Sequence, residues 1–324
     1  MHGSKLSRDR FAGLKRRPTC YRCGVLRSVL VSVDLSPASD RVIGRAALLP
    51  LTANARLTLL HVVPKLLPPN ARKRAEGDAH AALEALAEKL AAAAPEGVVI
   101  RTAVKVGSAA AEIAKHARSV KAELILMGRG GGRAIRDVFL GSTAERVIRH
   151  GQLPVLVVRL APRGLYSRPA LAMALDAAAD DAIRVLLRVI PPPRPTVALI
   201  HAYDVPFQAT VYPSLSAEEA DEYRVHHQHK ARREIGKLLS TTLERAGVAD
   251  QDAPAWKLHV RLGSARTVIE RVVERTRTDL LVLGTHGHVG VAHAFLGTVA
   301  GDVLREVACD ALVVPPDRDE SESS

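Results

Sequence analysis

The chain has 324 residues, 47% of them hydrophobic but only 3% aromatic, so its cores must consist mainly of Ala, Val, Leu and Ile. This length is typical of two domains of about 150 residues each, and no uncharged apolar run reaches the roughly 18 residues of a membrane span. More than half of the formal net charge of +12 lies in residues 1–27, which carry eight Lys or Arg and one Asp. Because recognition motifs and interleaved aromatic residues are lacking, nucleic acid is an unlikely partner.

Residues 1–25 are basic, and we predict that they form a disordered tail. They lack the apolar stretch of a secretory signal. Three cysteines in the chain do not make a disulfide framework, so we expect a cytoplasmic protein. Cys20 and Cys23 form a single CxxC, which lacks the second ligand pair of a zinc site.

Residues 26–160 alternate between strand-like and helix-like segments. Nearly continuous apolar runs rich in β-branched residues predict buried parallel strands, and apolar residues three and four apart predict helices. The strands are predicted in SVLVSVD (28–34), RLTLLHVV (56–63), VVIRTAV (98–104), LILM (124–127) and PVLVV (154–158), and the helices from Pro37 to about Ala53, over 79–94, after Ser108 and from Ser142.

Residues 168–316 repeat this plan after a linker at 161–167, and an acidic tail follows at 317–324. The strands are predicted in LAMALD (171–176), TVALIHAY (196–203), WKLHV (256–260), LLVLG (280–284) and ALVV (311–314). A long helix is predicted from Ser216, with Glu219 completing a capping box. This alternation predicts an α/β fold of two tandem domains, each an open parallel sheet with helices on both faces.

The two halves share a glycine motif of the form G-x2-G-x9-G-[S/T], directly after a strand and directly before a helix. Its residues are Gly128, Gly131, Gly141 and Ser142 in the first half and Gly284, Gly287, Gly297 and Thr298 in the second. Glycines let a backbone approach a ligand closely, and the amides at a helix N-terminus bind phosphate. Asp34 and Asp176 are predicted to end the first strand of each half, where a carboxylate could accept hydrogen bonds from ribose.

A simpler interpretation stays open at this point. The glycines could only shape a strand-to-helix loop, Ser142 and Thr298 could be ordinary N-caps, and Asp34 could be a residue that starts a helix. Duplication alone would produce both copies of such a loop.

The motif, with a strand before it and a helix after it, resembles that of the universal stress protein family. The resemblance covers residues 26–159 and 168–316, and it implies strand order 3-2-1-4-5 and binding of ATP, or of AMP or ADP, with or without Mg²⁺. It implies that Asp34 holds the ribose, that Val62 lies beside the adenine, and that the backbone of Ser32 and Met127 lines the base pocket. The residues implied around the phosphates are Gly128, Gly131, Gly141, Ser142 and Thr143. The counterparts implied in the second half are Ala174, Asp176, Ala202, Leu283, Gly284, His286, Gly287, Gly297, Thr298 and Val299.

The resemblance also implies partners. The last strands of the two halves, PVLVV and ALVV, are expected to pair edge to edge within the chain as a pseudo-dimer, with a homodimer as the alternative. A protein partner is expected but is not identified by any motif. The sequence has no P-loop and no G-x-S-x-G elbow, so we predict a nucleotide-responsive regulator and not an enzyme. A nucleotide-independent partner-binding module and a slow ATPase are the alternatives. His226, His227 and His229 are typical of a solvated helix surface, so no metal site is predicted.

Overall fold

The computed structural model describes residues 26–130, 142–150, 152–176, 178–203, 217–285 and 298–316. Within these ranges ten strands form one continuous sheet. The strands are β1 (Leu26–Ser32), β2 (Leu51–Pro64), β3 (Val99–Gly107), β4 (Leu124–Gly128), β5 (Val155–Val158), β6 (Pro169–Ala172), β7 (Val197–Tyr203), β8 (Trp256–Leu262), β9 (Leu280–Gly284) and β10 (Asp310–Val314). The helices are α1 (Ser39–Ala47), α2 (Pro69–Ala93), α3 (Ala109–Ser119), α4 (Ser142–His150), α5 (Ala178–Val189), α6 (Ala217–Arg245), α7 (Ala265–Thr276) and α8 (Thr298–Glu306).

The sheet runs in the order β3-β2-β1-β4-β5-β10-β9-β6-β7-β8. Each half therefore has strand order 3-2-1-4-5, with parallel pairing between all neighbours inside the half. Between the halves β5 and β10 pair antiparallel, with Leu156 opposite Leu312. The predicted α/β class and the pairing of the last strands are confirmed.

Helices cover the sheet on both faces, and this explains why the strands are apolar on both sides. Residues of α1, α2, α5 and α6 form one apolar layer, which includes Val42, Leu83, Ile183 and Ile235. Residues of α3, α4, α7 and α8 form the other layer. Along β1, Val29 and Val31 enter the first layer while Leu30 enters the second. None of the described helices is long and apolar enough to cross a membrane.

Two helix boundaries differ from those predicted by the sequence. Helix α1 ends at Ala47 rather than near Ala53, and β2 already begins at Leu51; Pro50 lies between them and disfavours helical geometry in the residue before it. Helix α2 begins at Pro69, ten residues before the predicted start. Its buried residues begin at Ala79, so its first turns carry no apolar pattern that a sequence could reveal.

The junction between the halves contains a fully buried carboxylate, Asp310, at the first residue of β10. Its Oδ1 accepts the backbone N–H groups of Arg159 and Leu160, both at 2.8 Å, and its Oδ2 accepts the Tyr166 hydroxyl at 2.7 Å. Burial, followed by the charge of Asp310, holds the pKa of Tyr166 well above its usual value, so Tyr166 remains a donor.

Helix α1 of the first half reaches this carboxylate through Arg45, which is 4% exposed. Its Nε lies 3.4 Å from Asp310 Oδ2, its Nη1 donates to the Gly164 carbonyl at 2.9 Å, and its guanidinium lies 3.9 Å above the centre of the Tyr166 ring. The Arg159 guanidinium donates to the carbonyls of Leu304 and Val307 at the end of α8. We call Arg45, Arg159, Tyr166 and Asp310 the junction cluster, and it ties α1, the segment after β5, α8 and β10 together.

Candidate functional site

The predicted residues of the first half gather where β1, β2 and β4 end. In the register of the sheet Ser32 lies beside Leu60 on one side and Met127 on the other. Val62 follows two residues after Leu60, and Gly128 ends β4 directly after Met127. Ser32 and Met127 are buried, whereas Val62 and Gly128 are half-buried. This is the carboxyl edge of the parallel strands, where open α/β sheets bind their ligands.

Asp34 stands two residues beyond β1, at the start of the turn into α1. Its Oδ1 accepts three hydrogen bonds, from the Ser36 hydroxyl at 2.7 Å, the Ser36 backbone N–H at 3.0 Å and the Ser39 hydroxyl at 3.1 Å. Partial burial alone would raise the pKa of Asp34, but the bonds from Ser36 and Ser39 outweigh it, and the pKa is lowered from its usual value of 3.8. The side chain is therefore an ionised, oriented carboxylate with Oδ2 outside these bonds.

His61 fixes the backbone immediately before Asp34. Its Nδ1 lies 2.9 Å from the carbonyl oxygen of Val33, so this nitrogen carries the proton that is donated. In addition, the Val33 N–H donates to the Leu60 carbonyl at 3.0 Å. The second half repeats this contact with His201 and the Met173 carbonyl at 3.1 Å.

The strand pairing is the same in the two halves, and in the first two strands equivalent residues are 140 positions apart. Ala172 lies beside Ile200 and Leu283, just as Ser32 lies beside Leu60 and Met127. The expected equivalence of Ala174 with Ser32, and of Asp176 with Asp34, therefore places both residues two positions too far along the chain. The position of Asp34 is occupied by Ala174, and Asp176 takes the position of Ser36.

This difference lies in the residues that follow the strand, because β1 and β6 end at equivalent positions, Ser32 and Ala172. Strand β6 ends at Ala172, so Asp176 stands four residues beyond its strand, in a bend just before α5. Its backbone carbonyl accepts the Ala179 N–H at 3.1 Å. The predicted Ala202 and Leu283 do lie at the positions of Val62 and Met127. The second half thus keeps the sheet edge but carries no carboxylate at the position of Asp34.

The described ends of the glycine loops show where the chain leaves the sheet. A Cβ on Gly128 would lie 3.4 Å from Val42 Cγ2, and one on Gly284 would lie 3.5 Å from the Ala178 carbonyl oxygen. Gly130 has a φ of +68°, a left-handed conformation that glycine adopts without strain. The loops return at α4 and α8, where Thr143 is half-buried and Val299 is exposed.

Five predicted site residues lie outside the described ranges, namely Gly131, Gly141, His286, Gly287 and Gly297. Ser142 and Thr298 are the first residues of their helices. The capping box at Ser216 and the CxxC at Cys20 and Cys23 also fall outside the described chain. Within the described ranges no group of three or more His, Cys, Asp or Glu side chains is placed to hold a metal ion.

A duplicated sheet edge of this kind has a match among known families. The family model described as "Universal stress protein family" matches residues 26–159 and again residues 164–315. The chain belongs to the universal stress protein family. Both family segments include the sheet edge and the glycine motif of their half.

Relatives and solved structures agree with this assignment. A universal stress protein of Mycolicibacterium smegmatis is 26% identical over 303 residues, which span 89% of this chain and 97% of that protein. Universal stress protein YxiE of Bacillus subtilis is 28% identical over 151 residues, which span 42% of this chain and all of YxiE. The crystal structure of a universal stress protein from Archaeoglobus fulgidus is similar with a TM-score of 0.63 and 18% identity, over 90% of this chain and 98% of that one. That structure shows a shared fold.

Sequence reasoning missed the residues that hold the Asp34 carboxylate and its backbone. Ser36 and Ser39 follow Asp34 at two and five residues, a spacing typical of a side chain that accepts bonds from its own turn. The repeated LHVV and LIHA segments contained the signal for His61 and His201, because a histidine recurs at the same point of the second strand.

Proposed function

We propose that the first half of this universal stress protein binds ATP, or a related adenine nucleotide, at the carboxyl edge of its sheet. The observation that carries the proposal is the Asp34 carboxylate, ionised and oriented by Ser36 and Ser39 beside the strand that leads into the glycine motif. Ribose hydroxyls are donors, and Oδ2 of Asp34 is an acceptor that the turn does not use. The described residues therefore fit the sugar of a nucleotide.

The rest of the proposed site follows from the chain around this carboxylate. The backbone of Ser32 and Met127 and the side chain of Val62 would line the base pocket, and Gly128, Gly131, Gly141, Ser142 and Thr143 would surround the phosphates. Backbone N–H groups at the start of α4 supply donors for phosphate oxygens. Any Mg²⁺ would arrive on the phosphates of the nucleotide.

We propose a weaker role for the second half. Ala174 replaces the carboxylate there, although the edge formed by Ala202, Leu283 and Gly284 persists. Its candidate residues Asp176, His286, Gly287, Gly297, Thr298 and Val299 would serve a nucleotide held mainly by its phosphates. Such a protein would act as a nucleotide-responsive regulator in the stress response of the cytoplasm, with binding and not turnover as its activity.

Isothermal titration of the purified full chain with ATP tests the proposal. We expect saturable binding that is lost in the double variant Gly131→Val/Gly287→Val, because branched side chains would block close approach of the backbone to phosphate. The matched control is Gly77→Ala/Gly236→Ala, at two helix positions where an added Cβ meets nothing within 4 Å. Unchanged affinity in the loop variant would refute the site. Mass spectrometry of the purified protein identifies any nucleotide that it carries.

A second candidate function is a partner-binding module that needs no nucleotide. The junction cluster favours it, because protein groups alone stabilise the pairing of the two halves there. It predicts that ATP leaves the melting temperature unchanged.

A further inference from the structure

The outer edge of the second half has a cavity of about 440 Å³ between β8 and α7. Three arginines line it, Arg261, Arg271 and Arg275. Its apolar lining residues are Leu262, Val268 and Val272, which we call the apolar floor, and Glu274 is the acidic residue of the lining. We call this cavity the edge groove. It lies on the outermost strand of the sheet, four strands away from β10.

The edge groove carries more positive than negative charge, with three arginines and one glutamate in its lining. No described carboxylate forms an ion pair with Lys257, Arg261, Arg271 or Arg275. The other side of α7 is different, since Arg266 pairs with Glu270 at 2.9 Å and with Asp302 at 3.7 Å. Arginines that line a cavity and form no ion pair with a described carboxylate are available to an anion.

A buried histidine, His259, contacts one of the arginines that line the groove. His259 is 4% exposed and lies on the α7 side of β8, with Nδ1 3.4 Å from Arg275 Nη2. Desolvation first, and then the charges of Arg275, Lys257 and Arg261, lower its pKa. A neutral ring that accepts from Arg275 at Nδ1 carries its proton at Nε2, and Nε2 is buried without a hydrogen-bond partner among the described residues. The region has donors in excess of acceptors.

The first half also has cations at the positions of Lys257, Arg261 and Arg271. They are Arg101, Lys105 and Lys115, at an offset of 156 residues. The first half differs at Arg275, which lines the groove, and at His259, which contacts Arg275. Ala103 stands for His259 and Ser119 for Arg275. Charged side chains on both outer strands protect the sheet edges from pairing with other chains, but the pair His259 and Arg275 is an addition of the second half.

We propose that the edge groove binds a small organic phosphate, a phosphate monoester on an apolar body. The guanidinium groups of Arg271 and Arg275 would contact the phosphate oxygens, because a planar fork of N–H donors matches them in geometry and charge. Leu262, Val268 and Val272 would cover the apolar body. The groove shares no lining residue with the proposed nucleotide sites, which lie where β1, β2 and β4 end in the first half and where β6, β7 and β9 end in the second.

Phenyl phosphate and inorganic phosphate are the matched probes, measured with the full chain by isothermal titration. We expect phenyl phosphate to bind about tenfold more tightly than inorganic phosphate, because the apolar floor removes part of the ring from water. In Arg271→Ala/Arg275→Ala we expect its affinity to fall by about tenfold or more. Both arginines are exposed, so the variant should fold, and a melting curve checks this.

Two control variants separate the explanations. Lys115→Ala/Arg118→Ala removes two cations from α3, the helix of the first half that is equivalent to α7. This variant should bind phenyl phosphate as the wild type does. Gly131→Val/Gly287→Val should also retain this binding, even if it loses ATP. An equal loss in both cation variants would mean that net charge attracts the anion, which overturns the proposal. No saturable binding, or aggregation of the arginine variant with unchanged binding, would mean that the cations only protect the edge.

Discussion

The two halves share their strand order and differ in the turn after the first strand. In the first half this turn holds an ionised carboxylate with three hydrogen bonds to Oδ1. In the second half the same backbone position is Ala174, and the nearest carboxylate, Asp176, stands two positions later. The histidine contacts at His61 and His201 are nevertheless the same. The second half therefore keeps the strand ends and the histidine contact, although it has no carboxylate at the position that would bind a ribose.

The junction is asymmetric as well. Asp310 begins β10, whereas the equivalent residue before β5 is Pro154, and Arg45 of α1 corresponds to Val185 of α5. One half therefore supplies the carboxylate and the other supplies the arginine. A pair of identical domains would place two such clusters about a symmetry axis, whereas the described ranges of this chain contain one.

The largest effect is expected from removing the carboxylate of the junction cluster. Asp310→Ala leaves the buried Arg45 without its counter-charge and three donors without their acceptor, which costs about 3–5 kcal/mol. Urea unfolding of the full chain measures the change. The control is Asp302→Ala, whose carboxylate pairs with Arg305 at 3.1 Å on the surface and should cost about 1 kcal/mol or less. Equal losses of unfolding free energy in the two variants would mean that the buried carboxylate stabilises the chain no more than a surface one does.

The next effect concerns nucleotide affinity in the two halves. Asp34→Ala should weaken ATP binding by about tenfold or more, since a hydrogen bond to a charged group contributes about 1.5–3 kcal/mol. Asp176→Ala should change it much less, and Ala174→Asp should strengthen binding at the second half. Titration calorimetry measures all three. A larger loss from Asp176→Ala than from Asp34→Ala would reverse the assignment of the halves.

A smaller effect is expected on the titration of Asp34. Hydrogen bonds in the folded state lower its pKa, so the stability that they contribute is present above the usual value of 3.8 and is lost as pH falls through the lowered value. Ser36→Ala removes the hydroxyl at 2.7 Å and should raise the pKa of Asp34. Carboxyl ¹³C NMR reads this titration directly. Ser28→Ala, whose hydroxyl bonds the Val120 carbonyl instead, should leave it unchanged.

The smallest effect is expected from the surface ion pair across the junction. Arg305 Nη2 of α8 lies 3.5 Å from Glu145 Oε1 of α4, and both side chains are partly exposed. A double-mutant cycle with Arg305→Ala and Glu145→Ala should give a coupling of about 0.2–1 kcal/mol. A coupling as large as the cost of Asp310→Ala would mean that surface charges, and not the buried cluster, hold the halves together.

The sequence predicted the fold well because its signals are periodic and repeated. The apolar strands LILM and LLVL stand at the same place in the two halves, and such repeats identified the strands of both halves. It failed at the second carboxylate because matching one Asp to the other ignores the register, and the register depends on hydrogen bonds between strands. The first turns of α2 contain no buried residue, so no apolar periodicity predicted them.

The junction cluster was also beyond sequence reasoning. An isolated Asp at a strand start is typical of an exposed end, and only the folded chain brings Arg45 and Tyr166 to it. The departure from the repeat was visible nonetheless, since Asp310 stands where the first half has Pro154. A polar residue that replaces an apolar one in a duplicated strand is a signal to look for a partner.

The antiparallel pairing of β5 with β10 has a consequence for assembly. Two separate chains that join through their last strands come apart on dilution, because their association follows mass action. Here a short covalent connection raises the effective concentration of each half for the other, so the pairing does not depend on how much protein the cell makes. The two halves can then diverge in sequence, since neither must recognise a copy of itself.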